Sequence, residues 1–108
     1  MKAVYVQKGD ALDFIPSEDV QNGAVVPLGT RIGIAAGNIP AGSVGTVHVE
    51  GVFRMTKAEG EALAMGTAVY YDEAADAVTA TESGNIPAGY AATPSSARDA
   101  FAHVKLLG

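Results

Sequence analysis

The chain has 108 residues, a mass of 10.9 kDa and no cysteine, so it fits one small domain without disulfides or thiolate metal sites. Twelve Asp and Glu against seven Lys and Arg give a net charge of −5 and a pI of about 4.7. The cations are scattered singly, which argues against nucleic acid as a partner. No run approaches the ~20 apolar residues of a membrane span, and the N-terminus lacks the apolar run of a signal peptide.

The pattern along the chain predicts a mainly β protein, with short apolar segments separated by turns rich in Gly, Pro and Asp. Pro27 indicates that its segment lies at a sheet edge or a strand end, because proline cannot donate a ladder hydrogen bond. The first two segments can pair as a hairpin around residues 8–10. The predicted strands cover residues 3–7, 11–15, 24–28, 31–36, 43–55, 67–71, 77–81, 86–93 and 100–107.

The longest of these segments, residues 43–55, shows the clearest alternation of apolar and polar residues. A period of two is typical of a half-buried strand. Thirteen residues would span about 43 Å at roughly 3.3 Å each, longer than most strands. We therefore expect one strand that bends or bulges near Gly51, where the missing side chain lets the backbone coil.

A short helix is predicted after this strand, over residues 57–65. Thr56 and Glu59 have the spacing of a capping box, and Gly66 stands where a helix would end. Ala58, Ala62 and Met65 would form its apolar stripe. The predicted fold is thus one domain of residues 1–108, a small antiparallel β barrel or sandwich with one short α-helix.

The hexapeptide Gly-Asn-Ile-Pro-Ala-Gly occurs twice, at residues 37–42 and 84–89. Glycine and proline together favour a turn. Two interpretations stay open: a pair of related strand connections from two pseudo-equivalent halves, or one favoured turn used twice.

No set of residues predicts an active site, a cofactor or a metal. His48 and His103 are the only histidines, and neither belongs to a recognised metal-binding or catalytic motif. Asp72, Glu73 and Asp76 lack the pattern of a Ca²⁺ loop and fit a solvated hairpin tip better. The glycine-rich stretch at residues 37–45 has no phosphate-binding motif. We therefore predict that the protein is not an enzyme.

The order of these segments resembles a family of small tailed-phage and prophage proteins, the capsid cement or head decoration proteins. The resemblance covers roughly residues 23–107. It is carried by VPLGTRIGIA at residues 26–35, IPAG with SVGTVHVEGVF at 39–53, MTKA at 55–58, MGTAVYYD at 65–72, AGYA at 88–91 and HVKL at 103–106.

The resemblance implies a virion protein on the capsid exterior, made in the cytoplasm of the bacterial host. It implies binding to the major capsid protein at the outer surface of the assembled head, stabilisation of that head, and self-association, with a trimer favoured. It implies no cofactor, nucleic acid or membrane as a partner.

A mechanism for such binding is a hypothesis with two parts. The chain would self-associate through the apolar edge at residues 24–28, and residues 1–15 would lie across capsid subunits by strand addition. The candidate contact residues are Val4, Tyr5, Val6, Phe14, Val25, Val26, Leu28 and Tyr70.

Two rival functions stay open. One is a carbohydrate- or receptor-binding β module on the virion, in which Tyr70 or Tyr71, together with Tyr90, would stack on sugars. The other is a small enzyme, which the missing catalytic set disfavours and which a pocket around His48 would revive.

Overall fold

Two antiparallel sheets make up the fold in the computed structural model, which describes residues 1–107. One sheet has four strands in the order β1-β4-β3-β2, and the other has five in the order β5-β9-β8-β6-β7. The mainly β class is therefore confirmed, but neither sheet of the described chain closes into a barrel. The strands are β1 (Ala11–Phe14), β2 (Val25–Pro27), β3 (Ile32–Ala35), β4 (Gly45–His48), β5 (Val52–Thr56), β6 (Ala68–Asp72), β7 (Ala77–Thr79), β8 (Ile86–Ala91) and β9 (Phe101–Leu106).

The main core lies between the two sheets. Strand β9 shows how the sequence builds it, because Ala102, Val104 and Leu106 are buried while Phe101 and His103 point to solvent. Strand β3 of the four-stranded sheet contributes side chains to this core. The other face of the four-stranded sheet covers a second, smaller cluster of buried residues. The main core contains Ile32, Ile34, Met55, Leu63, Val69, Tyr71, Val78, Ala88, Ala91, Ala102, Val104 and Leu106; the second contains Val26, Ala35, Ile39, Val47 and Val49.

The single long strand expected over residues 43–55 is two strands in two different sheets. Strand β4 belongs to the four-stranded sheet and β5 to the five-stranded sheet. Gly51 lies between them with φ +112°, a conformation that side-chain-bearing residues rarely adopt. The bend occurs near Gly51 as expected, but the chain crosses there from one sheet to the other instead of continuing as one strand.

The predicted helix over residues 57–65 is wrong; this segment is irregular and has two turns. Lys57 is 3% exposed, and its ammonium group donates hydrogen bonds to the carbonyl oxygens of Ala58 and Glu61. Gly60 has φ +77°, outside the helical region. Leu63 would only flank the apolar stripe of the predicted helix, yet its side chain is buried at 1% exposure. Met65, which would belong to that stripe, is 70% exposed.

Contacts with the strands around it take the place of helical hydrogen bonds in this segment. Lys57 and Val78 form an isolated parallel bridge, and Leu63 and Ser95 form an antiparallel one. The carboxylate of Glu61 accepts hydrogen bonds from the Thr79 hydroxyl at 2.6 Å and from the backbone N–H of Ala80 at 3.0 Å. These bonds lower the pKa of Glu61 below its ordinary value of 4.5, with a smaller contribution from the charge of Lys57.

The expected hairpin of residues 3–7 with 11–15 does not form. Residues 1–9 have no regular secondary structure, and β1 pairs with β4 instead, with Ala11 opposite His48 and Phe14 opposite Gly45. The hairpin predicted later in the chain does form, because β6 and β7 pair through Tyr70 and Thr79.

The two copies of the repeated hexapeptide adopt different structures. In the first copy Ile39 is 2% exposed and pairs with Val20 in an isolated bridge, and a turn follows. In the second copy the chain from Ile86 onward is strand β8. The interpretation as two pseudo-equivalent connections is therefore wrong, and so is the interpretation as one turn used twice.

Candidate interaction surface

Three of the predicted contact residues lie on an exposed segment, residues 1–9, which we call the N-terminal arm. Val4, Tyr5 and Val6 are 84%, 82% and 86% exposed. The arm leads into β1, which forms one edge of the four-stranded sheet. Phe14 lies at the far end of β1, half-buried against the second core cluster. The arm therefore lies outside both sheets, whereas Phe14 packs within the folded part of the protein.

The predicted self-association edge is an edge strand, β2, as the sequence indicated from Pro27. Its side chains, however, point into the protein. Val26 is 5% exposed in the second core cluster, Val25 packs against the main core, and Leu28 is half-buried against the second cluster. What β2 offers a partner is the open edge of its backbone.

The tyrosines differ in what they can contact. The hydroxyl of Tyr71, which is 5% exposed, donates a 2.6 Å hydrogen bond to Asp76. Burial of the ring, together with this acidic partner, raises the pKa of Tyr71 above its ordinary range. Tyr70 is half-buried with its hydroxyl 3.3 Å from Glu82, whereas Tyr90 is 39% exposed. Of the rings proposed to stack on sugars, Tyr90 is the most accessible.

A cleft of about 500 Å³ opens between the two sheets, and His48 is on its wall. The other walls include Val25, Phe53, Tyr71 and Asp76, so the cleft is lined by apolar rings and aliphatic side chains with a few polar groups. The ring of His48 lies 6.0 Å from that of Phe53 between centroids. A nucleophile–base pair needs hydrogen-bond contact. In residues 1–107, the hydrogen bond between two side chains of the cleft wall is the one that Tyr71 donates to Asp76, and His48 takes no part in it.

The second histidine lies on the other sheet. His103 is on the solvent face of β9, with its Nδ1 atom 3.4 Å from the hydroxyl of Thr93. Among residues 1–107, no group of three or more His, Cys, Asp or Glu side chains is placed to hold a metal ion. The same part of the chain contains no helix that is long and apolar enough to cross a membrane.

The solvent face of the five-stranded sheet holds exposed apolar side chains, of which the sequence analysis named Tyr90 but missed Val52 and Phe101. Val52, Tyr90 and Phe101 are 56%, 39% and 46% exposed. The guanidinium carbon of Arg54 lies 4.5 Å from the centroid of the Phe101 ring, a cation–π contact. The sequence already contained a pattern that indicates this face, because the alternation in residues 100–107 places Phe101 and Lys105 on the side of the strand that faces away from the core.

One comparison with known proteins identifies the family of the chain. A family model described as phage cement protein matches residues 6–106. Comparison with curated proteins and with solved structures finds no match. The matched region includes all nine strands, both core clusters and residues 6–9 of the N-terminal arm. The predicted resemblance is thereby confirmed: the chain belongs to the phage cement proteins, a family of structural proteins of the phage capsid.

Proposed function

We propose that the protein binds the outer surface of the assembled phage head through the major capsid protein and stabilises the head. Family membership supports a role at the capsid. The observation that carries the proposal is the N-terminal arm, where three consecutive large side chains, Val4 to Val6, are more than 80% exposed. Contiguous exposed apolar surface is typical of a binding site, because leaving it in water has a cost that burial against a partner removes.

The charge of the arm also supports binding to a partner. Residues 1–9 contain Lys2 and Lys8 and no acidic residue, whereas residues 10–108 carry twelve Asp and Glu against five Lys and Arg. The arm is therefore repelled less by acidic proteins than the rest of the chain is. It is also long enough to cross a subunit boundary, since nine extended residues span about 30 Å at roughly 3.3 Å each.

Strand addition is the mechanism that we propose for the arm. An extended segment can pair its backbone with an open sheet edge of a capsid subunit, while alternate side chains fill pockets there. In such a strand Val4 and Val6 point to one side and Tyr5 to the other. Residues 11–14 are paired with β4 in the fold, so we restrict the adding segment to residues 1–9, a shorter one than the sequence suggested.

Self-association through the open edge of β2 is the second part of the proposal, with a homotrimer as the expected state. Each copy would add one arm to the shell, so the trimer would hold three neighbouring capsid contacts together. Linked contacts bind much more tightly than one alone. The proposal requires no catalytic residue and no cofactor.

Quantitative mass spectrometry of purified virions tests the role directly. We expect a copy number within a small factor of that of the major capsid protein. A handful of copies would point to a fibre or receptor-binding part, and absence from the particle would refute the cement role.

A deletion of residues 2–9 tests the arm. We expect unchanged circular dichroism and loss of binding to heads assembled without the protein, because the arm lies outside both sheets. Val6→Asp should weaken binding in the same way, with Val44→Asp as the matched control, since Val44 is 64% exposed but lies in a loop of the folded part. Full binding by the deletion variant would refute the arm mechanism, and loss of folding would show that the arm is part of the core.

A further inference from the structure

The solvent face of three adjacent strands, β5, β9 and β8, is a second surface that suits a partner; we call it the β5–β9–β8 face. It lies on the side of the five-stranded sheet opposite the main core. Its outward residues are Val52, Arg54, Thr56, Pro87, Tyr90, Phe101, His103 and Lys105.

The charge on this face differs from that of the rest of the chain. The protein has twelve Asp and Glu, yet β5, β9 and β8 contain none of them. Arg54 and Lys105 are on the face, and Arg54 lies opposite His103 in the register. An acidic protein thus presents, on these three strands, a surface whose charges are all positive. A face of this kind attracts a carboxylate-bearing surface and is repelled by a cationic one.

Apolar side chains lie among these cations. The register places Val52 opposite Lys105 and Lys105 opposite Tyr90, so the three form a row across neighbouring strands about 4.8 Å apart. Val52 and Tyr90 are 56% and 39% exposed. Aromatic residues and arginine are enriched in protein–protein contact surfaces, and this face carries Tyr90, Phe101 and Arg54.

Arg54 is held in a geometry that suits a carboxylate. Its guanidinium carbon lies over the ring of Phe101, 4.5 Å from the centroid, and a guanidinium over an aromatic ring can still donate hydrogen bonds from its edge. Arginine pairs with carboxylates through two parallel N–H···O bonds, and the fixed plane reduces the entropy lost on binding. The neighbours of Arg54 on the face are Val52, Thr56 and His103, none of which is acidic.

We propose that the β5–β9–β8 face docks on a carboxylate-rich patch of the outer capsid surface. This inference rests on the proposed function and adds to it the face and the partner's chemistry. The proposed self-association uses the open edge of β2 in the other sheet, which leaves this face for the shell. A two-fold contact between two copies of the face would bring Arg54 and Lys105 near their own counterparts, so like charges would oppose it. The arm and this face would then act together, one by strand pairing and the other by charge and apolar contact.

Charge reversal tests the face against a matched control. The face variant carries Arg54→Glu with Lys105→Glu, and the control carries Arg31→Glu with Arg98→Glu. Arg31 and Arg98 are exposed and lie outside the face, so both variants change the net charge equally. The probe is the head of the encoding phage assembled without this protein, with binding measured by co-sedimentation at low and at physiological salt.

We expect the face variant to bind heads at least about tenfold more weakly than the wild type, and the control to stay within about threefold. The difference should shrink as salt is added, because salt screens exposed charges. Circular dichroism and light scattering report whether the variants keep the fold and the oligomeric state of the wild type. If the double variant does not fold, Arg54→Gln against Arg31→Gln makes the same comparison without charge reversal, with a smaller expected loss.

Four outcomes would overturn the inference. Equal binding by wild type and face variant would remove the face from the contact, and an equal loss in the control would show a non-specific effect of net charge. Loss of self-association by the face variant would assign the face to a second copy. If the wild type and the control bind glycans and the face variant does not, the face would be assigned to a sugar ligand. A wild-type protein that does not bind heads at all would instead refute the proposed function itself.

Discussion

Leu63 is the residue whose truncation best distinguishes the observed segment between β5 and β6 from a helix. Its side chain is 1% exposed in the main core, while Met65 two residues later is 70% exposed. Replacing a fully buried leucine with alanine removes its transfer free energy and leaves a cavity, which costs about 2.7–5.0 kcal/mol. A domain of this size has a total stability of about 5–15 kcal/mol. Leu63→Ala should therefore remove a large fraction of it.

Urea denaturation followed by circular dichroism measures this cost. We expect Leu63→Ala to lower the free energy of unfolding by about 3 kcal/mol, and to lower the melting temperature by more than about 10 °C at roughly 4 °C or more per kcal/mol. Met65→Ala is the control and should stay within about 0.5 kcal/mol of the wild type, since its side chain loses little contact. All variants are compared at one protein concentration.

The reasoning fails if the two variants change stability by similar amounts. A helix with the stripe of Ala58, Ala62 and Met65 would make Met65→Ala the costlier change of the two. A cost below about 1 kcal/mol for Leu63→Ala would likewise contradict the burial on which the prediction depends.

Three further predictions concern a close backbone contact, a partly buried hydrogen bond and a pH dependence. Gly89→Ala should unfold or strongly destabilise the protein, because its added Cβ would overlap a backbone carbonyl of β9; a melting curve like that of the wild type would contradict this. Tyr71→Phe should cost about 1.5–3 kcal/mol by removing the 2.6 Å bond to Asp76, whereas Tyr70→Phe should cost less than about 0.5 kcal/mol; equal costs in urea melts would refute the difference. The folded state lowers the pKa of Glu61, so its carboxylate contributes stability that is fully present above about pH 4.5 and is lost as the pH falls further. In Glu61→Gln the free energy of unfolding should therefore depend less on pH in that acidic range.

The sequence predicted most strands because their alternation matches the burial of a sheet with one face on a core. The strand predicted over residues 100–107 from its alternation is observed as Phe101–Leu106, one residue shorter at each end. The sheet edge at β2 was predictable as well, since Pro27 cannot donate to a neighbouring strand.

The candidate surface was predictable only in part. The exposure of Val4 to Val6 agrees with their proposed role as contact residues, which stays a prediction. Val26 shows why sequence reasoning is incomplete here, because an apolar residue in an edge strand can face either side of the sheet. The structure turns it inward to 5% exposure, onto the second cluster.

By itself, the sequence determined the β class, most strand positions and the family, since these depend on local alternation and on the order of segments. Tertiary structure decided the rest. One hexapeptide forms a bridge and turn around Ile39 but a strand from Ile86, because the partners that satisfy its backbone differ between the two places. The capping-box spacing at residues 56–59 likewise gave way to the burial of Lys57 and Leu63, since local helix signals are worth about 1 kcal/mol and core burial is worth more.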